Sequence, residues 1–126
     1  MENTLLLVDD EENILRSLVR LLRGENYRIL TATSGSEALD ILASHEVHVI
    51  LSDQRMPNMT GSEMLSHAKD LYPETVRMVL SGYTDLASVT DAINRGHIYK
   101  FLTKPWDDDL LRTNVREAFE RHELGR

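Results

Sequence analysis

The chain predicts an α/β fold, a doubly wound five-stranded parallel sheet with five helices. Two hydrophobic periods alternate along it, short apolar runs rich in β-branched residues and longer segments with helical spacing. The first, third and fourth short runs are nearly continuous in apolar residues, as strands buried on both faces require. Cap and turn residues fall between the two kinds of segment.

Thr4 to Val8 predicts the first strand. The segment after it is amphipathic, with Ile14, Leu15, Leu18, Val19, Leu21 and Leu22 on one broad face and Arg16, Arg20 and Arg23 opposite. Gly24 follows it, where a residue at positive φ is expected. Tyr27 to Ala32 predicts the second strand. Ser34 and Glu37 then form a capping-box pattern that opens a helix marked by Ala38, Leu39 and Leu42. Val47 to Ser52 predicts the third strand, and Thr60 with Glu63 repeats the capping box before Met64, Leu65, Ala68 and Leu71. Val76 to Ser81 predicts the fourth strand, and Leu86, Val89 and Ile93 mark the fourth helix, closed by Gly96 at an expected positive φ. Ile98 to Thr103 predicts the fifth strand. Leu111, Val115, Ala118 and Phe119 mark the last helix, which Asp107, Asp108 and Asp109 open as solvated carboxylates. Pro57, Pro73 and Pro105 all lie between periodic segments, where a missing N–H costs nothing.

A length of 126 residues suits one domain with one core, and 41% hydrophobic with 28% charged residues is the balance of a globular chain rather than a disordered one. No apolar run approaches the ~20 residues of a membrane span. The start, MENTLLLVDD, has neither the basic region nor the apolar stretch of a signal peptide. There is no cysteine, hence no disulfide framework and no thiolate metal site, and the cytoplasm is the default compartment. A net charge of -7 argues against direct nucleic-acid binding by this domain and suits a site for a cation or a basic partner. The five histidines show no ligand spacing and are expected to be surface imidazoles.

In a doubly wound sheet the site lies beyond the C-terminal ends of the strands, where the winding reverses. The first strand ends in Asp9 and Asp10, the third in Asp53, the fourth in Ser81 and Gly82, the fifth in Lys104 and Pro105. The second ends in Ala32, Thr33 and Ser34 with nothing ionisable, which fits an edge position. Three carboxylates, a hydroxyl and an ammonium thus converge on one rim. Two carboxylates about 4 Å apart repel by roughly 4 kcal/mol at an effective dielectric near 20, so something must offset them. Phosphoryl transfer to a carboxylate uses such a set. Asp53 would attack phosphorus, Asp9 and Asp10 would hold Mg²⁺, and Lys104 and Ser81 would bind the phosphoryl oxygens. Glu11 and Glu12 are read instead as favourable charges at a helix start.

Taken in order, each at its own strand end, these residues resemble the receiver domain of a two-component response regulator over essentially the whole chain. The resemblance implies the flavodoxin-like strand order 2-1-3-4-5, Asp9 and Asp10 as the metal pair, and Asp53 as phosphoacceptor and metal ligand. It also implies a metal bond from the backbone carbonyl of Arg55, Lys104 as the lysine facing the phosphoryl group, and a cis Lys104-Pro105 bond. Ser81 matches the switch hydroxyl and Phe101 the switch aromatic. The run Gly96-His97-Ile98-Tyr99-Lys100-Phe101 is one residue longer than the family's usual approach to the last strand. It leaves the register of that strand open, with Tyr99 as a second candidate for the switch role. Arg55 and Tyr83, each two residues past a site residue, are expected to control water access to the phosphoryl group. The implied partners are a sensor histidine kinase and an output domain or downstream protein. The output face and a homodimer contact are expected around the fourth helix, fifth strand and fifth helix. Residues 1–126 would be a single receiver domain, the N-terminal part of a longer regulator. Trp106 fits either core packing or a place on that output face.

Such a domain catalyses only its own phosphorylation and dephosphorylation, so an enzyme acting on a substrate pool is not expected. An aspartyl-phosphate hydrolase would need a second acid where Arg55 stands. A flavodoxin would need a hydroxyl- and glycine-rich phosphate loop where residues 9–12 are acidic. A receiver working by protein contact without phosphorylation remains the alternative within the same family.

Overall fold

The structure, a computed structural model, describes residues 2–125, with Tyr83 described by its backbone alone. Strands β1 (Thr4–Val8), β2 (Arg28–Ala32), β3 (Val49–Asp53), β4 (Val76–Ser81) and β5 (Lys100–Thr103) form one parallel sheet in the order β2-β1-β3-β4-β5. Helices α1 (Glu12–Leu22), α2 (Gly35–Ser44), α3 (Gly61–Leu71), α4 (Leu86–Asn94) and α5 (Asp108–Leu124) connect and follow them. Fold class and strand order are those expected. No helix is long and apolar enough to cross a membrane.

The sheet divides the core by strand periodicity. Leu5 and Leu7 of β1 point to one face and pack with Leu15, Leu18 and Leu22 of α1 and with Leu111, Val115 and Phe119 of α5. Leu6 and Val8 point the other way, towards Ala38 and Leu42 of α2, Met64 and Leu65 of α3 and Val89 of α4. The central strands β1 and β3 are buried along their full length. Chain order makes the winding reverse at β1, so the crevice between the C-terminal ends of β1 and β3 is the natural site.

Local details correct several expectations. β2 begins at Arg28 rather than Tyr27, and β3 runs from Val49 to Asp53 rather than Val47 to Ser52. β5 begins at Lys100 rather than Ile98, because a bend at Tyr99 precedes it. That bend absorbs the extra residue and fixes the register, with Val79 opposite Phe101 and Ser81 opposite Thr103. After α1 the left-handed position is Asn26 (φ 66), not Gly24, because a 3-10 turn over Arg23–Glu25 carries the helix onward first. Gly96 does take positive φ, at 78°. The Thr60 capping box is complete. At α2 Ser34 accepts from the Glu37 N–H as expected, but the Glu37 carboxylate accepts from Thr33 rather than from Ser34.

His48 is not a surface imidazole. It is buried, its Nδ1 accepts the Thr4 N–H at 2.9 Å, and its Nε2 lies 3.0 Å from Glu46 Oε1. An accepting Nδ1 requires the Nε2–H tautomer. The side chain thereby extends the β1–β3 ladder by one bond beyond the last backbone pair.

The loop after β3 is held by Gln54 and Gly61. Gln54 Oε1 accepts the Ser62 N–H and its Nε2 donates to Ser62 Oγ, both at 2.8 Å, while the Gly61 N–H donates to the Gln54 carbonyl at 2.9 Å. A Cβ at position 61 would run into the Asp53 carbonyl oxygen, a backbone atom that cannot swing aside. Gly61→Ala is therefore expected to lower stability by about 1–3 kcal/mol, the usual scale of an overpacked position, as measured by urea unfolding.

Candidate functional site

Each site residue is delivered by a strand end. Val8 pairs with Ser52 across β1 and β3, which sets Asp9, just past the end of β1, beside Asp53, the last residue of β3. The Asp9 N–H donates to the Ala32 carbonyl of β2, and the Lys104 N–H donates to the Ser81 carbonyl of β4. Those backbone bonds fix the loops that carry the two side chains. The Lys104-Pro105 bond is cis.

The side chains then converge. Lys104 Nζ lies 2.8 Å from Asp53 Oδ1 and 3.3 Å from Asp9 Oδ2. Asp9 is 1% exposed and Asp53 7%, whereas Asp10 is open to solvent. Carboxylate oxygens of Asp9, Asp10 and Asp53 all lie within 4.8 Å of one another, and this is the one such trio among the described residues. Ser81 is buried beside them, its Oγ donating to the Gly82 carbonyl at 3.0 Å. Asp53, Arg55, Gly82 and Lys104 line an open cleft over the trio.

Burial decides the electrostatics. It raises the Asp53 carboxyl above its ordinary value of 3.8, with Asp10 adding repulsion, while the Lys104 hydrogen bond and charge pull back without cancelling the rise. Asp9 is raised by burial and by Asp53, against the Glu11 N–H that its Oδ1 accepts and against Lys104. For Lys104 burial alone would lower the ammonium's value, but Asp53 and then Asp9 outweigh it and the net shift is upward. Three carboxylates thus share one ammonium in a half-enclosed site. A hard divalent cation with oxygen preference fits that excess of negative charge, and Asp9, Asp10 and Asp53 are the residues that could hold it.

The other sequence candidates fall in different places. Phe101 packs against the cluster on the α4 side of the sheet that includes Val79, Val89 and Ile98, while Tyr99 packs with the α1 and α5 layer under the Arg121 guanidinium. Arg55 reaches over the cleft mouth to Thr84 Oγ1 and Asp85 Oδ1, each at 3.1 Å. The Tyr83 side chain lies outside the described residues. Trp106 packs partly buried against the α1 and α5 layer, and its Nε1 donates to Asp108 Oδ1. Asp107 caps α5 by accepting the Leu110 N–H, in keeping with its reading as a helix start.

Gln54 was not singled out in the sequence. Its place between Asp53 and Arg55 was the available signal, but only the fold shows that it is buried and ties the loop to α3. A broader groove at the far end of β4 and β5, lined by Arg77, Tyr99 and Arg121, carries no comparable chemistry. The Arg77 guanidinium there is taken up by the carbonyls of Pro73, Thr75, Gly96 and His97.

Comparison with known proteins decides the family. The pattern of the response regulator receiver domain matches residues 5–116. The chain belongs to the response regulator receiver family. It is 44% identical over 121 residues to the hydrogenase transcriptional regulatory protein HoxA of Cupriavidus necator, covering 96% of this chain and 25% of HoxA. Over 93% of this chain and 25% of the relative it is 32% identical to the DNA-binding transcriptional regulator NtrC of Escherichia coli. The chain thus spans about a quarter of the length of these curated relatives. The signal receiver domain of an HD domain-containing protein from Pseudomonas fluorescens superposes with a TM-score of 0.93 at 39% identity, covering 98% of both chains.

The raised carboxyls have a consequence for this receiver without metal. A native carboxyl with a raised pKa keeps its proton to higher pH than the unfolded chain does. The contribution of Asp9 and Asp53 to stability therefore falls as pH climbs from 3.8 through their raised native values. Asp9→Asn keeps an acceptor for the Glu11 N–H and removes one of these charges. It is expected to raise the melting temperature by a few degrees at neutral pH in a chelator, and to flatten the decline with pH. Thermal melts across the acid-to-neutral range check this.

Proposed function

We propose that this receiver domain is switched by a phosphoryl group accepted on Asp53, with a sensor histidine kinase as donor. The observation that carries the reading is a nearly buried Asp53 held 2.8 Å from Lys104, beside Asp9, where the winding of the sheet reverses.

An oxygen of the Asp53 carboxylate attacks the phosphorus of the donor's phosphohistidine. A new P–O bond forms, the P–N bond breaks, and its electron pair stays on the imidazole nitrogen. Lys104 is placed to follow the developing charge, moving its hydrogen bond from the carboxylate to a phosphoryl oxygen. Mg²⁺ held by Asp9, Asp10, Asp53 and the Arg55 carbonyl supplies, when bound, the positive charge that lets a phosphate approach three carboxylates.

The Ser81 hydroxyl, now donating to Gly82, turns to the phosphoryl group and draws the end of β4 with it. Phe101, on the same face of the sheet as Val79, takes the space this leaves on the α4 side. The surface of α4, β5 and α5 changes as a result, and an output domain, a downstream protein or a second copy reads it. We propose further that the domain serves a longer regulator, a reading supported by its matches to a quarter of HoxA and NtrC, and that this regulator works in the cytoplasm. Arg55, over the cleft mouth, limits the water that reaches the acyl phosphate.

Incubation with Mg²⁺ and acetyl phosphate should add the mass of one phosphoryl group to the intact protein. Asp53→Asn should gain none, and Lys104→Ala should lose at least tenfold in rate. Equal labelling of Asp53→Asn would exclude Asp53 as the acceptor.

A further inference from the structure

Arg55 joins two loops through a side-chain charge. Its guanidinium Nη2 lies 3.1 Å from Thr84 Oγ1 and 3.1 Å from Asp85 Oδ1, bridging the loop after β3 to the turn before α4. Asp85 stands at the N-cap of α4, a position where aspartate is among the strongest capping residues. Here it does not cap. Its backbone sits at φ -104, ψ 8 rather than in the extended region, and its side chain makes no capping bond. Ser34, Thr60 and Asp107, at the starts of α2, α3 and α5, are extended and do cap. The Asp85 carboxylate is held by Arg55 instead.

Arg55 and Asp53 open on the same cleft, two residues apart in sequence. The Arg55 side chain is 73% exposed, and an ion pair at such a surface is weak and screened. A phosphoryl dianion offers the same guanidinium two oxygens in the planar fork geometry it binds best. We propose that Arg55 exchanges acceptors on phosphorylation, leaving Thr84 and Asp85 for the phosphoryl group and freeing Asp85 to cap α4. The inference rests on Asp53 being the phosphoacceptor.

The exchange has a structural path. Asp85 closes the 3-10 turn Tyr83–Asp85 through its N–H to the Gly82 carbonyl, at 3.2 Å. To accept an amide proton from Ala87 or Ser88 it must swing ψ into the extended region, which re-aims the chain that leaves Asp85 into α4. The turn begins two residues after Ser81, so the two motions involve the same short segment. Arg55 is thus a positioning residue that couples the charge at Asp53 to the first turn of α4.

Hydrogen exchange at the Ala87 and Ser88 amides, read with and without Mg²⁺ and acetyl phosphate, tests the exchange. Intact mass is recorded on the same samples. In the wild-type protein phosphorylation should slow exchange at one of these amides by about fivefold, the scale of one N-cap. Arg55→Ala should show that slowing already in the unmodified protein and gain nothing more. Asp85→Asn, which keeps a capping oxygen but weakens the hold of Arg55, should resemble Arg55→Ala. Asp85→Ala should show no slowing in either state while still taking the phosphoryl group. A phosphorylated wild type with unchanged exchange at both amides overturns this proposal alone. Arg55→Ala behaving as Asp85→Ala does the same. Failure to gain the phosphoryl mass overturns the proposed function and this inference with it.

Discussion

Lys104 Nζ sits between Asp53 and Asp9, 2.8 Å from one and 3.3 Å from the other, and the three groups come from the ends of β5, β3 and β1. Two buried carboxylates with one ammonium leave an excess of negative charge that Asp10 enlarges. The surrounding fold is what makes such a concentration tolerable. Continuous apolar strands bury β1 and β3 on both faces, and the parallel ladders leave no freedom in where their last residues point. The site is thus held under electrostatic load by a core that does not depend on it. A single cation or a single phosphoryl group can change that load without threatening the fold.

The two sides of the sheet respond to that load differently. The α1 and α5 layer is closed by large side chains, including Tyr27 stacked on Phe119 at 4.5 Å and Trp106 packed at the start of α5. On the other side α4 begins with an exposed Leu86 and an aspartate that does not cap it, and among its residues only Val89 and Ala92 are fully buried. A helix so lightly anchored at its first turn moves at low cost. It follows Ser81 in the chain, and Arg55 ties it to the cleft. The Asp53 cleft and the first turn of α4 are therefore joined through a few polar contacts rather than through the core.

Much of this was legible in the sequence, for a physical reason. Apolar periods of two kinds, and acidic, hydroxyl and basic residues placed just past strand ends, are consequences of burial and of the site rule for parallel sheets. Asp9, Asp53, Ser81 and Lys104 could be placed on one rim because the rim is built from backbone ends. His48 could not be read this way. Its alternation with Val47 and Val49 looks like any strand, and only the ladder shows the Thr4 N–H that its ring accepts. Gly24 and Asn26 exchanged roles because a 3-10 turn after α1 delays the left-handed residue by two positions.

By itself the sequence determined the fold class, the order of the elements and the residue types at the strand ends, since these follow from local hydrophobic period and chain order. Tertiary structure alone decided which charges touch. The bend at Tyr99 sends that ring to the α5 side and Phe101 to the α4 side, a choice set by the pairing of β5 with β4. Gln54 became a tie to Ser62, and Arg55 a bridge to Asp85, through contacts 8 and 30 residues away in sequence. Such contacts depend on distances between loops that no local pattern encodes.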